Sequence, residues 1–203
     1  MAETKPKEVY SYTLEDKFSI SDLEARKLFI NQDIDDDALD GVVYHIMRYN
    51  FLDKGIPVKD RIPIKIYINS YGGSVTAGFA IIDAIKASKT PVYTINLGVC
   101  YSMAFMIFLA GDIRYATKNS SLLLHDGSVG GIDSSNKMRD RIEFETTQTE
   151  KRIRDMVINS TKITEEMYDR NLRTEWYMYA NTGKSLGVVD YIIGEDVELD
   201  AIL

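Results

Sequence analysis

The sequence predicts an α/β fold of repeated ββα and βαβ units, mostly parallel in pairing, with one long helix projecting from it. Three observations carry this expectation. Ile62, Ile64, Ile66 and Ile68 alternate with Pro63, Lys65, Tyr67 and Asn69, the period of a strand with one apolar face. Strand-like segments then recur between helical patterns at about 30-residue intervals, the spacing of crossover units. The stretch from Ser134 to Asn159 reads as a helix whose apolar positions (Met138, Ile142, Thr149, Ile153, Met156, Val157) form only a narrow stripe. Such a helix buries little against its own domain, so it is expected to project and pack on another subunit.

Taken in order, residues 1–25 are polar with isolated Tyr and Phe and read as a loosely ordered arm. The fold proper, residues 26–203, opens with the short apolar strand Lys27 to Ile30. Asp35 to Asp37 place carboxylates where a helix N-terminus favours negative charge. Leu39, Val42, Val43, Ile46 and Met47 follow at the spacing of one buried helix face, which leaves His45 pointing to solvent. The isoleucine strand ends in Ser70-Tyr71-Gly72-Gly73, a turn signal, before a helical pattern through Phe79, Ile82 and Ile85. Pro91 to Leu97 is a strand, Ser102 to Ala110 a short apolar helix, and Asp112 to Ala116 and Ser121 to His125 two further strands. Gly127, Gly130 and Gly131 mark a loop before the long helix, placed at about 134–160. Thr164 reads as the N-cap of a helix through Leu172, and Ala180 to Leu186 as a small helix ending at Gly187 before the strand Val188 to Ile193.

Composition bounds the function. The 203 residues, 45% of them apolar, make one domain with a full core. Lys and Arg number 24 against 31 Asp and Glu, giving a net charge of −7 with basic residues scattered, which argues against nucleic acid. One Cys and two His leave little for a metal site, since Cys100, His45 and His125 would need carboxylate help, so no metal or other cofactor is expected. Met103 to Ala110, the longest apolar run, is far below the roughly 20 residues that cross a bilayer. Charges at Glu3, Lys5, Lys7 and Glu8 do not resemble a signal peptide, and the lone Cys suits a reducing compartment, most simply cytoplasm.

Three places join turn chemistry to a reactive group, and each has two readings. Gly72-Gly73 is either a tight strand-to-helix turn or a place where exposed amides stabilise an oxyanion. Ser102, at a strand-to-helix junction, is either an ordinary N-cap or a nucleophile beside helix N-terminal amides. It lacks the G-x-S-x-G pattern. His125 closes an apolar strand beside the glycine loop and is either structural or a general base, which needs a third group to hold its tautomer. Cys100 competes as a nucleophile but lies in an apolar run and reads as a small core residue.

With these residues named, the chain resembles the Clp protease proteolytic-subunit family (ClpP), within the crotonase-like fold. The resemblance rests on Tyr67-Ile68-Asn69-Ser70-Tyr71-Gly72-Gly73-Ser74-Val75-Thr76-Ala77-Gly78, on Ser102-Met103-Ala104 followed by Ala110-Gly111, on Asn119-Ser120 leading to His125, and on Gly187-Val188-Val189-Asp190. It implies a serine endopeptidase with Ser102 as nucleophile, His125 as base and the N–H groups of Gly73 and Met103 as the oxyanion hole. It also implies substrate alignment by Ser70, Gly72, Ser74 and Val75. The long helix is similar to the family's handle, and two stacked heptameric rings fed by an ATP-driven (AAA+) unfoldase with unfolded polypeptide are implied as partners.

Departures accompany the likeness, among them a slightly shorter segment between Gly111 and His125 and residues 1–25, which do not match the family's N-terminal axial segment. Counting back from Gly187, the family's acidic Asp is matched by Glu175, with Asp169 a second candidate and Asp126 on the wrong side of its strand. Tyr71 stands for a Pro, Gly127 for another, and Thr174 for an Arg that pairs across ring contacts. Glu175 and Thr174 motivate an alternative, a catalytically impaired ring scaffold subunit. An acyl-CoA enzyme of the crotonase type is a third reading, disfavoured by the setting of Ser102 and His125.

Overall fold

The computed structural model describes residues 13–127 and 134–203. Seven strands form one sheet, five of them along a parallel path of β1 (Lys27–Ile30), β2 (Ile64–Ser70), β3 (Val92–Tyr101), β4 (Ile113–Thr117) and β7 (Tyr191–Ile193), in that order. The crossovers are α2 (Asp36–Leu52), α3 (Val75–Ala87) and α4 (Met103–Leu109). Ile64, Ile66 and Ile68 pack under α2, α3 and α4 in the main core, which also takes in all of α4. Ile62 lies outside β2 and is exposed, because the strand begins only after Pro63.

The opposite face of the sheet is covered by the chain's own end. Ile202 is buried against Tyr67, Ile95 and Tyr115, while Lys65 and the Tyr67 hydroxyl donate to the carbonyls of Leu203 and Ile202.

An irregularity in β3 positions the site. Its residues Tyr93–Asn96 pair with β4, and Val99–Tyr101 then pair with β5 (Ser121–Leu124). Between them the β2–β3 register slips, with the Asn69 side chain filling the place a Cβ on Gly98 would take. Buried Asn96 secures the switch by donating to the Ser121 carbonyl at 2.9 Å. A bulge of this kind re-aims a strand end, and the end re-aimed here carries Ser102.

Several elements differ from their sequence reading. Residues expected in a loosely ordered arm form α1 (Leu14–Glu24), closed by a capping box in which Thr13 and Asp16 exchange hydrogen bonds; no residue of it is buried, so no apolar stripe announced it. In α2 the buried face is Ala38, Val42, Ile46 and Tyr49, whereas Met47 is exposed and His45 is half-buried between Tyr44 and Tyr49 rather than solvated. Burial, reinforced by Arg48, lowers the His45 pKa. The strand β6 (Trp176–Tyr179) was not foreseen, because four consecutive large apolar residues carry no period-two signal. Val188 and Val189 are buried in the turn after Gly187, both amides donating to the Gly183 carbonyl, and β7 begins only at Tyr191.

The long helix is three pieces: α5 (Ser135–Phe144), a π turn over Glu145–Thr149, and α6 (Glu150–Ser160). α5 buries nothing, as its thin stripe suggested, but Val157 is buried, and Ile153 and Met156 pack on the main core. Projection therefore holds for the first piece alone. Thr164 caps α7 (Glu165–Asn171) through the Met167 amide, and α8 (Ala180–Ser185) completes the chain's helices among the described residues. Residues 1–12 of the expected arm, and Gly130 and Gly131 of the expected loop, lie outside the described residues.

Candidate active site

Ser102 stands at the end of β3 with φ 53° and ψ −122°, a backbone conformation that serine rarely adopts. Its amide donates to the Leu123 carbonyl at 3.0 Å, which pins the turn to β5 two residues before His125. Its carbonyl accepts from Phe105 and Met106, starting α4, while its hydroxyl makes no cap bond. The strained strand-to-helix turn is the geometry of a nucleophile elbow without its glycine signature. Without that signature nothing in the sequence marks the strain.

The glycine turn is packed against this elbow. A Cβ on Gly72 would come within 2.7 Å of the Ser102 Cβ and 3.1 Å of the Met103 nitrogen, so only glycine allows the approach. On its other side the turn pairs with Ile34, whose amide donates to Gly72 (2.8 Å) and whose carbonyl accepts from Ser74 (2.7 Å). In a parallel bridge the residue between those two, Gly73, directs its own amide away from the partner. The Gly73 and Met103 amides thus remain without acceptors among the described residues. Ile34 was missed in sequence; its one trace is an isolated apolar residue between Asp33 and Asp35.

Of the residues expected along a substrate, Ser70 is buried and its hydroxyl accepts from the Gly72 amide at 3.2 Å, so its side chain supports the turn. Ser74 caps α3 through the Ala77 amide, and Val75 packs at the core's edge.

The antiparallel register of β5 and β6 pairs Leu124 with Trp176, so His125 and Glu175 are the next opposed pair. Accordingly, His125 Nδ1 lies 3.0 Å from Glu175 Oε1, the ring largely shielded and the carboxylate more than half exposed. Asp169 is engaged elsewhere, with Arg154. Asp126 is exposed, and its amide donates to the Leu172 carbonyl. Thr174 bonds the Asn171 carbonyl. Cys100 is fully buried, which pushes its thiol pKa well above the ordinary value and leaves it a neutral core residue.

Beside this pair runs an aromatic row that sequence reasoning missed. Tyr101 meets Tyr71 and Tyr177 edge-on, with ring centroids 5.6 and 5.5 Å apart. Desolvation and then the Glu175 charge raise the Tyr177 pKa. Among the described residues no cluster of three His, Cys, Asp or Glu could hold a metal ion, and no helix is long and apolar enough to cross a membrane.

A parallel sheet fed by crossover helices, a serine elbow against a glycine turn, and a helix projecting beyond the sheet together define the ClpP class of α/β fold. The chain belongs to the Clp protease family, whose description, Clp protease, matches residues 14–196. It is 28% identical over 200 residues to ATP-dependent Clp protease proteolytic subunit 2 of Treponema pallidum (strain Nichols), covering 97% of this chain and 96% of that one. It is 31% identical over 174 residues to proteolytic subunit 1 of Chlamydia pneumoniae and 32% to that of Chlamydia caviae, each match covering 84% of this chain and 88% of the relative.

Proposed function

We propose that the protein is a self-compartmentalised serine endopeptidase that cleaves unfolded polypeptide through Ser102, His125 and Glu175. The observation that carries this reading is the 3.0 Å contact between His125 Nδ1 and Glu175 Oε1, formed beside the strained Ser102 elbow. Glu175 fixes the imidazole tautomer so that Nε2 accepts the Ser102 proton as Oγ attacks the scissile carbonyl. The resulting oxyanion is met by the Gly73 and Met103 amides, each such donor worth about 2.7 to 4 kcal/mol of barrier. His125 then protonates the leaving amine, and water, deprotonated in turn by His125, releases the acyl group from Ser102. No step calls for a metal or other cofactor.

Assembly into two stacked heptameric rings, delivery of substrate by an AAA+ unfoldase, and a cytoplasmic setting belong to the same reading. The relatives' names as ATP-dependent proteolytic subunits support assembly and an ATP-driven partner, and the exposed helix α5 supports a contact with another subunit. The scaffold alternative rests on Glu175 and Thr174; the position of Glu175 against His125 weighs against its first ground.

Labelling with an ethyl fluorophosphonate tests the proposal. We expect one adduct, on Ser102, absent in Ser102→Ala and formed about 10³- to 10⁴-fold more slowly in Glu175→Gln, whose amide cannot hold the imidazolium. An assembled particle that takes no adduct on Ser102 would sink it.

A further inference from the structure

Gly73 borders a second feature, a pocket of about 270 Å³ between the start of α3 and the π turn of the long helix. Ser74, Val75 and Thr76 line it from one side, and Arg141, Glu145, Thr149, Glu150 and Ile153 from the other. The stripe Arg141, Glu145, Thr149, Ile153 advances by four residues at each step. In a regular α-helix four residues overshoot a turn by about 40°, so such a stripe would drift off the pocket. The wider π turn at Glu145–Thr149 undershoots instead and holds the stripe on the pocket, a use of π turns typical of functional sites.

The lining is polar in an unusual way. Glu145 and Glu150 are half-buried, and neither carboxylate is in an ion pair or side-chain hydrogen bond among the described residues. Thr149 is 8% exposed, yet its hydroxyl has no hydrogen-bond partner there and makes no cap bond. The hydroxyl oxygen is itself not buried, and Thr149 lines the pocket, where that oxygen is free to accept from a ligand's donor. Arg141 is exposed and supplies one positive charge against two carboxylates.

We propose that this pocket receives a long cationic side chain, lysine or arginine, of the polypeptide being cleaved. The inference rests on the peptidase reading above and gives that site its side-chain preference. The residue whose carbonyl enters the hole at Gly73 has its side chain one bond away, so the recess sharing Gly73 is the nearest one to it. Val75 and Ile153 offer apolar walls to the methylene stem. Glu145, Glu150 and the Thr149 hydroxyl accept from the charged head, in bonds about twice as strong as neutral ones.

Two peptidyl diphenyl phosphonates, identical except for a lysine-type aminobutyl and a norleucine-type butyl side chain, test this on the assembled protein. We expect the aminobutyl probe to modify Ser102 at least about tenfold faster, and Glu145→Gln with Glu150→Gln to bring the ratio of the two rates close to one. Equal rates, or a faster butyl probe, on wild-type protein would overturn the proposal without recourse to any variant. Ethyl fluorophosphonate, which has no side chain, is run alongside. If it modifies Ser102 while the ratio stays near one, the pocket proposal alone fails; if it leaves Ser102 untouched, the peptidase reading fails and takes the pocket with it.

Discussion

Ser102 holds a positive φ that any folded chain without use for it would have replaced by glycine. Such strain costs about 1 to 3 kcal/mol, and glycine's own entropic penalty is about 0.5 to 1. Ser102→Gly is therefore expected to raise stability by about 1 kcal/mol while abolishing labelling, read from urea midpoints; a loss of stability would refute the strain. The residue itself was legible, because a serine ahead of an apolar helix has only two uses, but its conformation was not. Glu175 shows the reverse. Its number followed from spacing and family likeness, whereas its reach to His125 comes from pairing across β5 and β6, and β6 has no alternation by which to be read.

Element by element, one cross-link away from the site is the Arg26–Asp53–Thr90 cluster. Arg26, at φ 58° between α1 and β1, forks onto Asp53 at 2.6 and 2.7 Å and also donates to the Ile62 carbonyl. Asp53, buried at the end of α2, accepts in addition from the Thr90 hydroxyl ahead of β3 at 2.7 Å. The α1–β1 junction and two crossovers are thus tied through one carboxylate, which the Arg26 guanidinium, first among its partners, holds below the usual carboxylate range. A carboxyl so lowered contributes stability in full above its unfolded value of about 3.9 and loses it as pH falls through the lower folded value. Asp53→Asn should cost about 2 to 3 kcal/mol at neutral pH, since it leaves a half-buried guanidinium without its charge partner. Its urea midpoint should also fall less steeply than the wild type's as pH drops from about 5 to 3. Parallel slopes would contradict this account. None of the cluster was visible in sequence, where Arg26, Asp53 and Thr90 are merely separated polar residues. The strands and helices it joins were visible, because burial imposes periods of two and about 3.6 that polar long-range contacts do not.

Across the whole molecule the core is complete and the surface is not. The outer side of α2 exposes Tyr44, Met47 and Phe51, from 61% to 73% accessible, and α1 adds Leu14 and Phe18. Single exposed apolar residues are ordinary, but a run of them on adjoining helices marks a contact surface. In the ring proposed above, the occupant of this surface is a neighbouring subunit. The sequence reading put Met47 in the core because its spacing fits the buried stripe. An amphipathic pattern cannot distinguish residues that face their own sheet from residues that face a neighbour, as both faces are apolar. Met47→Glu with Phe51→Glu should lower the particle mass seen by native mass spectrometry. The same change should move the urea midpoint of the dissociated chain by no more than about 0.5 kcal/mol, as for surface positions generally. An unchanged particle mass would place the ring contact elsewhere, and a large loss of stability would return these residues to the core.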